Sequence, residues 1–285
     1  MRTVSVVMAA YNAEDTIAES IDSVLKQSFH DFEFIIVDDG STDNTRSIIS
    51  AYNDKRIRLI DNCHDYIQSL NIGLKASTGK YIARMDADDI MHIDRLKLQH
   101  STMEDFPEIT ICSCWETVFG KKMPKRLVEQ KLSGLIESPL VQLLLDDISI
   151  NPVYTIRKSF IDKHKLLYEN YIYSEDYKFW VDVAKSDGSF YIDSQPLVYR
   201  RISNAKILRN RRIEQIQSIS KIKKEILYFL GNHYNENYPA LTTLYHSCYE
   251  LSEQKLIFEN EIFTLFYSLF MKNKDTFKRL ESEQK

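Results

Sequence analysis

The first hundred residues switch regularly between two hydrophobic periods, and this constrains the fold more than any other feature of the chain. Val4 to Ala9 is a short continuous apolar run, the pattern of a strand buried on both faces. From Glu14 to Gln27 the apolar residues Ile17, Ile21, Val24 and Leu25 recur at helical spacing. Phe32 to Val37 is a second buried strand, and Ser41 is placed to cap a helix reaching Tyr52. Ile57 to Ile60 and Ile67 to Ala76 repeat the strand–helix unit, Gly79 stops the helix, and Tyr81 to Met85 is the fourth strand. A helix from Asp94 to Glu104 completes the series. Repeated strand–helix units with short connections predict an α/β fold, a Rossmann-like and mostly parallel sheet flanked by helices.

Open parallel sheets bind ligands beyond the carboxyl ends of their strands. Three polar clusters stand at those ends: Tyr11-Asn12, Asp38-Asp39, and Asp86 to Asp89. They are far apart in the chain, yet the topology should gather them in one crevice. The 285 residues, 44% hydrophobic, are enough for a substantial core. A formal net charge of -4 leaves no footprint for a nucleic-acid partner.

Past Glu108 the pattern loosens. Ile109 to Phe119 reads as one or two strands, Lys121 to Arg126 as a basic loop, and Leu127 to Leu145 as a helix interrupted by Pro139. Ser174 to Lys185 is a helix with Phe179, Trp180 and Val183 on its apolar side. Phe190 to Ile192 and Leu197 to Tyr199 are short strands, and the chain is helical from Ala205, with a break from Gly231 to Pro239. The resulting division is 1–115, 116–204 and a helical extension over 205–285.

Cys63, Cys112, Cys114 and Cys248 do not have zinc-ligand spacing and read as reduced thiols. The short apolar run after Arg2 is no signal peptide, and no stretch reaches the ~18 apolar residues of a membrane span. The expected location is therefore the cytoplasm.

Asp86, Asp88 and Asp89 place three carboxylates in four residues. They repel one another, and a hard divalent cation such as Mn2+ or Mg2+ would relieve that repulsion. The bland alternative is a solvated turn. Asp38-Asp39-Gly40-Ser41 reads either as a turn and helix cap or as an acceptor for a base N–H or a ribose hydroxyl. Glu175 and Asp176 open a helix, where acids suit the dipole, or else supply a general base. No glycine-rich phosphate loop is present among the seven glycines.

Taken together, Ser5 to Asn12, Ile35 to Asp43 and Gly79 to Asp89 resemble the family 2 inverting glycosyltransferases of GT-A fold. The likeness is close from Thr3 to Gln99 and patchy to Arg201. It implies transfer of a sugar from a nucleotide diphosphate donor, expected to be a UDP-sugar, to a glycan or lipid-linked acceptor in surface polysaccharide synthesis. It also implies roles. Ala9, through its backbone, and Tyr11 would hold the nucleobase. Asp39 would bind the base, with Asp38 supporting it or the ribose. Asp86 would lie by ribose and metal, Asp88 would be the main metal ligand, and Asp89 would line the donor site. Asp176, next to Glu175 in Ser174 to Trp180, matches the family's catalytic base motif.

Two departures stand out. Where relatives carry a histidine in a Tyr-Arg-x-His segment, Tyr199-Arg200-Arg201 leads to Ile202, leaving Arg200 or Arg201 to replace its charge. Where relatives carry Gly-Leu after the third strand, this chain has Cys63-His64-Asp65. Ile202 motivates a rival reading, a non-catalytic nucleotide-sugar binder or partner subunit. A receiver-type signalling domain also places acids at strand ends, but the chain length and the late Glu175-Asp176 helix oppose it.

Ile216, Ile219, Ile222 and Ile226 have helical spacing, with Arg209, Arg211, Arg212, Lys221, Lys223 and Lys224 nearby. This is either a helix covering the core or a basic amphipathic helix lying peripherally on the inner membrane face. Leu256 to Met271, rich in Phe and Leu, suits a homo-oligomer interface.

Overall fold

A computed structural model describes residues 2–120, 123–146, 148, 153–202, 205–233 and 239–273. The N-terminal units follow the expected order: β1 (Val4–Ala10), α1 (Ile17–Leu25), β2 (Phe32–Asp38), α2 (Thr45–Ser50), β3 (Ile57–Asp61), α3 (Tyr66–Ala76) and β4 (Tyr81–Asp86). A short β5 (Ile90–Met91) and α4 (Arg95–Asp105) follow, then β6 (Ile109–Gly120), β7 (Met123–Val128), β8 (Gly134–Ile136) and α5 (Pro139–Leu144). The chain continues through β9 (Thr155–Arg157), α6 (Lys158–His164), α7 (Glu175–Lys185) and β10 (Ser189–Arg201). It ends in α8 (Ala205–His233), α9 (Pro239–Glu253) and α10 (Glu259–Lys272).

Among the described residues one ten-stranded sheet runs β3-β2-β1-β4-β9-β6-β10-β5, with β7 on β6 and β8 on β10. The β3-β2-β1-β4 half is parallel throughout. Beyond it β9 pairs antiparallel with both β4 and β6, while β6 and β10 run parallel. The 115/116 division falls inside β6, and the sheet continues across it.

The two-residue period of β1 explains its continuous apolar run. Val4, Val6, Met8 and Ala10 enter the core under α1 and α4, whereas Val7 and Ala9 enter the opposite core with α3, α7 and α8. Gly79 has a tighter role than ending a helix. The helix already ends at Ala76, and a Cβ on Gly79 would stand 2.7 Å from the Ser5 backbone nitrogen.

Several expectations are corrected. Ser41 does not cap α2, because its hydroxyl donates to Asp38 instead, and the Asp43 carboxylate accepts the Thr45 N–H. Residues 123–126 of the expected basic loop belong to β7, with 121 and 122 outside the described residues. Leu127 to Leu145 is not one interrupted helix. It is the end of β7, then β8, then a helix that Pro139 opens, a position where proline's missing N–H leaves no bond unmade. Phe190 to Tyr199 is one strand with register shifts, not two.

The isoleucine stripe divides. Ile222 and Ile226 are fully buried in the core and Ile219 is half-buried against it, while Ile216 is exposed, as is Ile213 outside the stripe. Lys223 pairs with Asp146 at 2.6 Å, and Lys221 lies over the Tyr171 ring. The side chains of Arg209, Arg211 and Arg212 lie outside the described residues. In the Leu256 to Met271 stretch, Ile262 and Phe266 are core residues, whereas Leu256, Phe258 and Leu265 are exposed. All four cysteines are free thiols. No described helix is long and apolar enough to cross a membrane.

Candidate active site

Strand register brings the predicted residues together. Ala9 of β1 pairs with Val37 on one side and Asp86 on the other, and Ala10 pairs with Asp38. The three polar clusters therefore emerge side by side at the carboxyl edge of β2, β1 and β4. Asn12 takes a left-handed conformation (φ 46°), its N–H donates to Ser41 Oγ, and its Oδ1 accepts the Thr42 N–H. This ties the β1 and β2 exits into one rim.

Asp38 and Asp39 are both buried, and they differ in partners. Asp38 Oδ1 accepts from Ser41 Oγ at 2.5 Å, which fixes the turn at Gly40. Asp39 Oδ1 accepts from the Asp65 N–H at 2.7 Å, Ser69 Oγ at 2.8 Å and Asn62 Nδ2 at 3.3 Å. Three donors on one oxygen lock Asp39 and leave Oδ2 beside the His64 ring, 3.7 Å from Nδ1. The Tyr11 ring stacks on that imidazole with centroids 4.2 Å apart.

The loop after β4 is held by α1, where Thr16 and Ser20 both donate to the Ala87 carbonyl. That clamp aims Asp86, Asp88 and Asp89 together, so that one carboxylate oxygen from each lies within 4.8 Å of the other two. Asp89 Oδ1 accepts the Arg201 N–H at 2.8 Å, but its buried Oδ2 has no partner. Burial, reinforced by the charge of Asp86, pushes the Asp88 carboxyl up to about 6. Burial and both neighbouring acids raise Asp89 well above the carboxylate range. A cluster of oxygen donors held at such cost, with one orphaned buried oxygen, fits a hard divalent cation.

Asp176 stands in the first turn of α7, beside Glu175. Its Oδ1 is buried with no partner, and the Tyr168 hydroxyl, itself in contact with Tyr154, bonds its carboxyl. Burial pushes Asp176 up to about 7, with Arg84 opposing and Glu175 and Asp86 adding to the rise. Burial raises Glu175 as well. Asp86 and Arg84 thus act on Asp176 and on Asp88 alike.

Sequence reading gave no role to Arg84, although a lone charge inside the apolar strand Tyr81 to Met85 was the visible signal. Its guanidinium is buried, bonds Asp86 at 2.6 Å and reaches the Tyr66 hydroxyl at 2.8 Å. Arg200 and Arg201 are both engaged at the end of β10. Arg200 grips Glu116 through two bonds, and Arg201 bonds Glu19 and the Asp88 carbonyl. Ile202 ends the strand through its N–H on the Phe119 carbonyl.

The profile described as Glycosyl transferase family 2 matches residues 5–173. An uncharacterized glycosyltransferase of Haemophilus influenzae is 35% identical over 241 residues, covering 80% of this chain and 74% of its own length. The Escherichia coli UDP-Glc:alpha-D-GlcNAc-diphosphoundecaprenol beta-1,3-glucosyltransferase WfgD is 31% identical over 219 residues, covering 73% of this chain and 80% of its own. Among solved structures, S. aureus TarS 1-349 in complex with UDP-GlcNAc superposes with a TM-score of 0.62 at 18% identity, over 83% of this chain and 74% of that one. The fold is thus shared with TarS, and on the profile match and the relatives' identity the chain is a glycosyltransferase that belongs to family 2.

Proposed function

We propose that this glycosyltransferase moves a sugar from a UDP-sugar to a lipid-linked glycan acceptor, with inversion at the anomeric carbon, in surface polysaccharide synthesis. One observation carries the reading. Asp89 Oδ2 and Asp176 Oδ1 are buried carboxylate oxygens without a partner, and the charge of Asp86 acts on both groups. Such oxygens are costly unless a ligand completes them.

On the donor side, Tyr11 and the Ala9 backbone hold the base, and Asp39 Oδ2 accepts its ring N–H. Asp38 keeps the Gly40-Ser41 turn in shape beneath the ribose. Asp88 and Asp86 are the metal ligands, with Asp89 lining the donor pocket. A divalent cation bound there, Mn2+ or Mg2+, would neutralise charge on the departing diphosphate.

On the acceptor side, Asp176 Oδ1 takes the proton of the attacking hydroxyl. A carboxyl lifted to about 7 binds that proton better than a solvated aspartate does. Glu175 adds negative charge that favours proton uptake by Asp176. Attack from the face opposite the diphosphate inverts the sugar. The WfgD relative, named for a diphosphoundecaprenol acceptor, supports a lipid-linked substrate, and TarS with UDP-GlcNAc supports a uridine donor. A lipid-linked acceptor sets the protein to work in the cytoplasm, peripherally at the inner membrane face.

The test is transfer from a panel of radiolabelled nucleotide sugars to a short-chain GlcNAc-diphospho-lipid, with and without Mn2+. A UDP-sugar should give a metal-dependent product of inverted configuration, read by anomeric coupling constants. UDP binding without transfer or donor hydrolysis would replace this reading with that of a non-catalytic binder.

A further inference from the structure

The ring stacked on Tyr11 is the chain's own. His64 leaves its imidazole at 4.2 Å centroid separation and 29° to the Tyr11 ring, with Nδ1 turned to Asp39 Oδ2 at 3.7 Å. A flat aromatic ring on Tyr11, presenting a ring nitrogen to Asp39, is what a nucleobase would be in this seat. We propose that His64 is a built-in competitor of the nucleobase, an imidazole that fills the base's place until a nucleotide displaces it. The proposal rests on the reading of Tyr11 and Asp39 as the nucleobase seat.

Three observations support displacement over a sandwich with the base between two rings. A second ring needs its own stacking distance, so 4.2 Å between centroids admits nothing between Tyr11 and His64. The loop backbone cannot retreat cheaply, because Gly40 (φ 75°) packs under it, and a Cβ on Gly40 would meet the His64 nitrogen at 3.1 Å. The Asp65 N–H also holds the loop to Asp39 at 2.7 Å. The His64 side chain, by contrast, is 66% exposed and can swing outward. Asp39 then keeps its three donors on Oδ1 and offers Oδ2 to the incoming base.

His64 itself takes a left-handed backbone (φ 37°), uncommon for a residue with a Cβ. Asparagine tolerates that conformation, so His64→Asn removes the ring with little backbone penalty, and His64→Ala removes it outright. A competitor that must leave weakens every ligand carrying a base by one factor and leaves ligands without a base untouched.

The experiment is calorimetric titration of the full chain with UDP, and separately with inorganic pyrophosphate, both with Mn2+, for the wild type and both variants. UDP should bind the variants about three- to tenfold tighter, the size of one ring-on-ring contact, with pyrophosphate affinity unchanged. Weaker or equal UDP binding in both variants, beside normal wild-type binding, overturns the competitor and leaves the nucleotide site standing. Equal tightening of UDP and pyrophosphate overturns it too, since the effect would then not be at the base. Failure of UDP to bind any of the three proteins removes the nucleotide site and this proposal with it.

Discussion

Arg84 Nη1 lies 2.6 Å from Asp86 Oδ1, and the opposite arm of the same guanidinium reaches the Tyr66 hydroxyl at 2.8 Å. The arginine is almost fully buried, so this pair links the floor of the triple-aspartate loop to the start of α3. Removing one member of a buried pair strands the other's charge, at a typical cost of ~3–5 kcal/mol. Asp86 retains some solvent, which trims the expectation for Arg84→Met to about 3 kcal/mol in urea unfolding. Arg84→Lys should recover less than half of the loss, because a point-like ammonium cannot span both partners. A loss below ~1 kcal/mol for Arg84→Met would show that the pair does not hold the loop.

Asp88 and Asp89 predict how metal and pH act together. With the Asp88 carboxyl raised to about 6, a cation must displace its proton below that pH and meets a ready carboxylate above it. At a Mn2+ concentration about 100 times its dissociation constant, binding adds ~2.7 kcal/mol, a rise in melting temperature of about 4–5 °C at pH 8. The rise should shrink steadily below pH 6 and be absent in Asp88→Ala. A pH-independent shift, or one that survives in Asp88→Ala, removes these ligands from consideration.

The carboxylates and strands that frame this site were legible because parallel strands buried on both faces leave continuous apolar runs, and those of β2 and β4 lead straight into acids. Contacts without a local period were not legible. Nothing between Tyr11 and His64 in the sequence announces their stack, which arises only when β1 and β3 are brought to the same edge. The three-residue β9 is too short to show alternation, and it carries the sheet from β4 to β6. Leu127 to Leu145 imitates a helix through its leucines. Gly134 at φ 80° and the helix opened by Pro139 reveal a strand followed by a separate turn of helix. Arg84 was visible as a charge in an apolar strand, and only its partners were hidden.

Asp176 links stability to turnover. Its carboxyl is raised from 3.8 to about 7 in the folded chain, so between those values the native state holds a proton that the unfolded chain has released. The native state then binds more protons, and this contribution to stability is whole below ~4 and lost as pH rises through about 7. Asp176→Asn cannot ionise, so its melting temperature should exceed the wild type's most clearly above pH 7. In the same variant UDP-sugar binding should persist while transfer falls at least 100-fold, the lower end of what a positioned base contributes. Wild-type kcat/KM should fall on the acid side with a midpoint near 7. Undiminished transfer in Asp176→Asn would place the base elsewhere.

Gly79 tests the seam between β1 and the α3–β4 connection. An added Cβ would meet the Ser5 nitrogen at 2.7 Å and the Val4 carbonyl carbon at 2.8 Å, both backbone atoms that cannot rotate away. The Gly79 N–H also donates to Ser5 Oγ at 2.9 Å, so any shift of the strand breaks a buried bond. Gly79→Ala should cost ~1–3 kcal/mol in urea unfolding, in the range of other overpacked sites. A neutral outcome would mean that β1 and the β4 entry can separate without loss.

The divided stripe of α8 separates packing from membrane contact. Ile222 and Ile226 have no solvent exposure and lie in the core with α7, so Ile222→Ser or Ile226→Ser should cost at least ~2 kcal/mol. Ile213 is 67% exposed and Ile216 56%, and serine there should change stability by less than ~0.5 kcal/mol. Gln215, between them, donates to the Tyr173 carbonyl, which places this end of α8 against the segment leading into Asp176. If the lipid-linked acceptor is met at a membrane face, the Ile213→Ser/Ile216→Ser double variant should float less with anionic vesicles while unfolding at the wild-type urea midpoint. Transfer to a water-soluble acceptor analogue should be unchanged in that variant, and transfer to a vesicle-embedded acceptor reduced. Equal flotation of wild type and double variant would return the exposed half of the stripe to ordinary surface, since a membrane contact must lose apolar area when those two side chains are cut back.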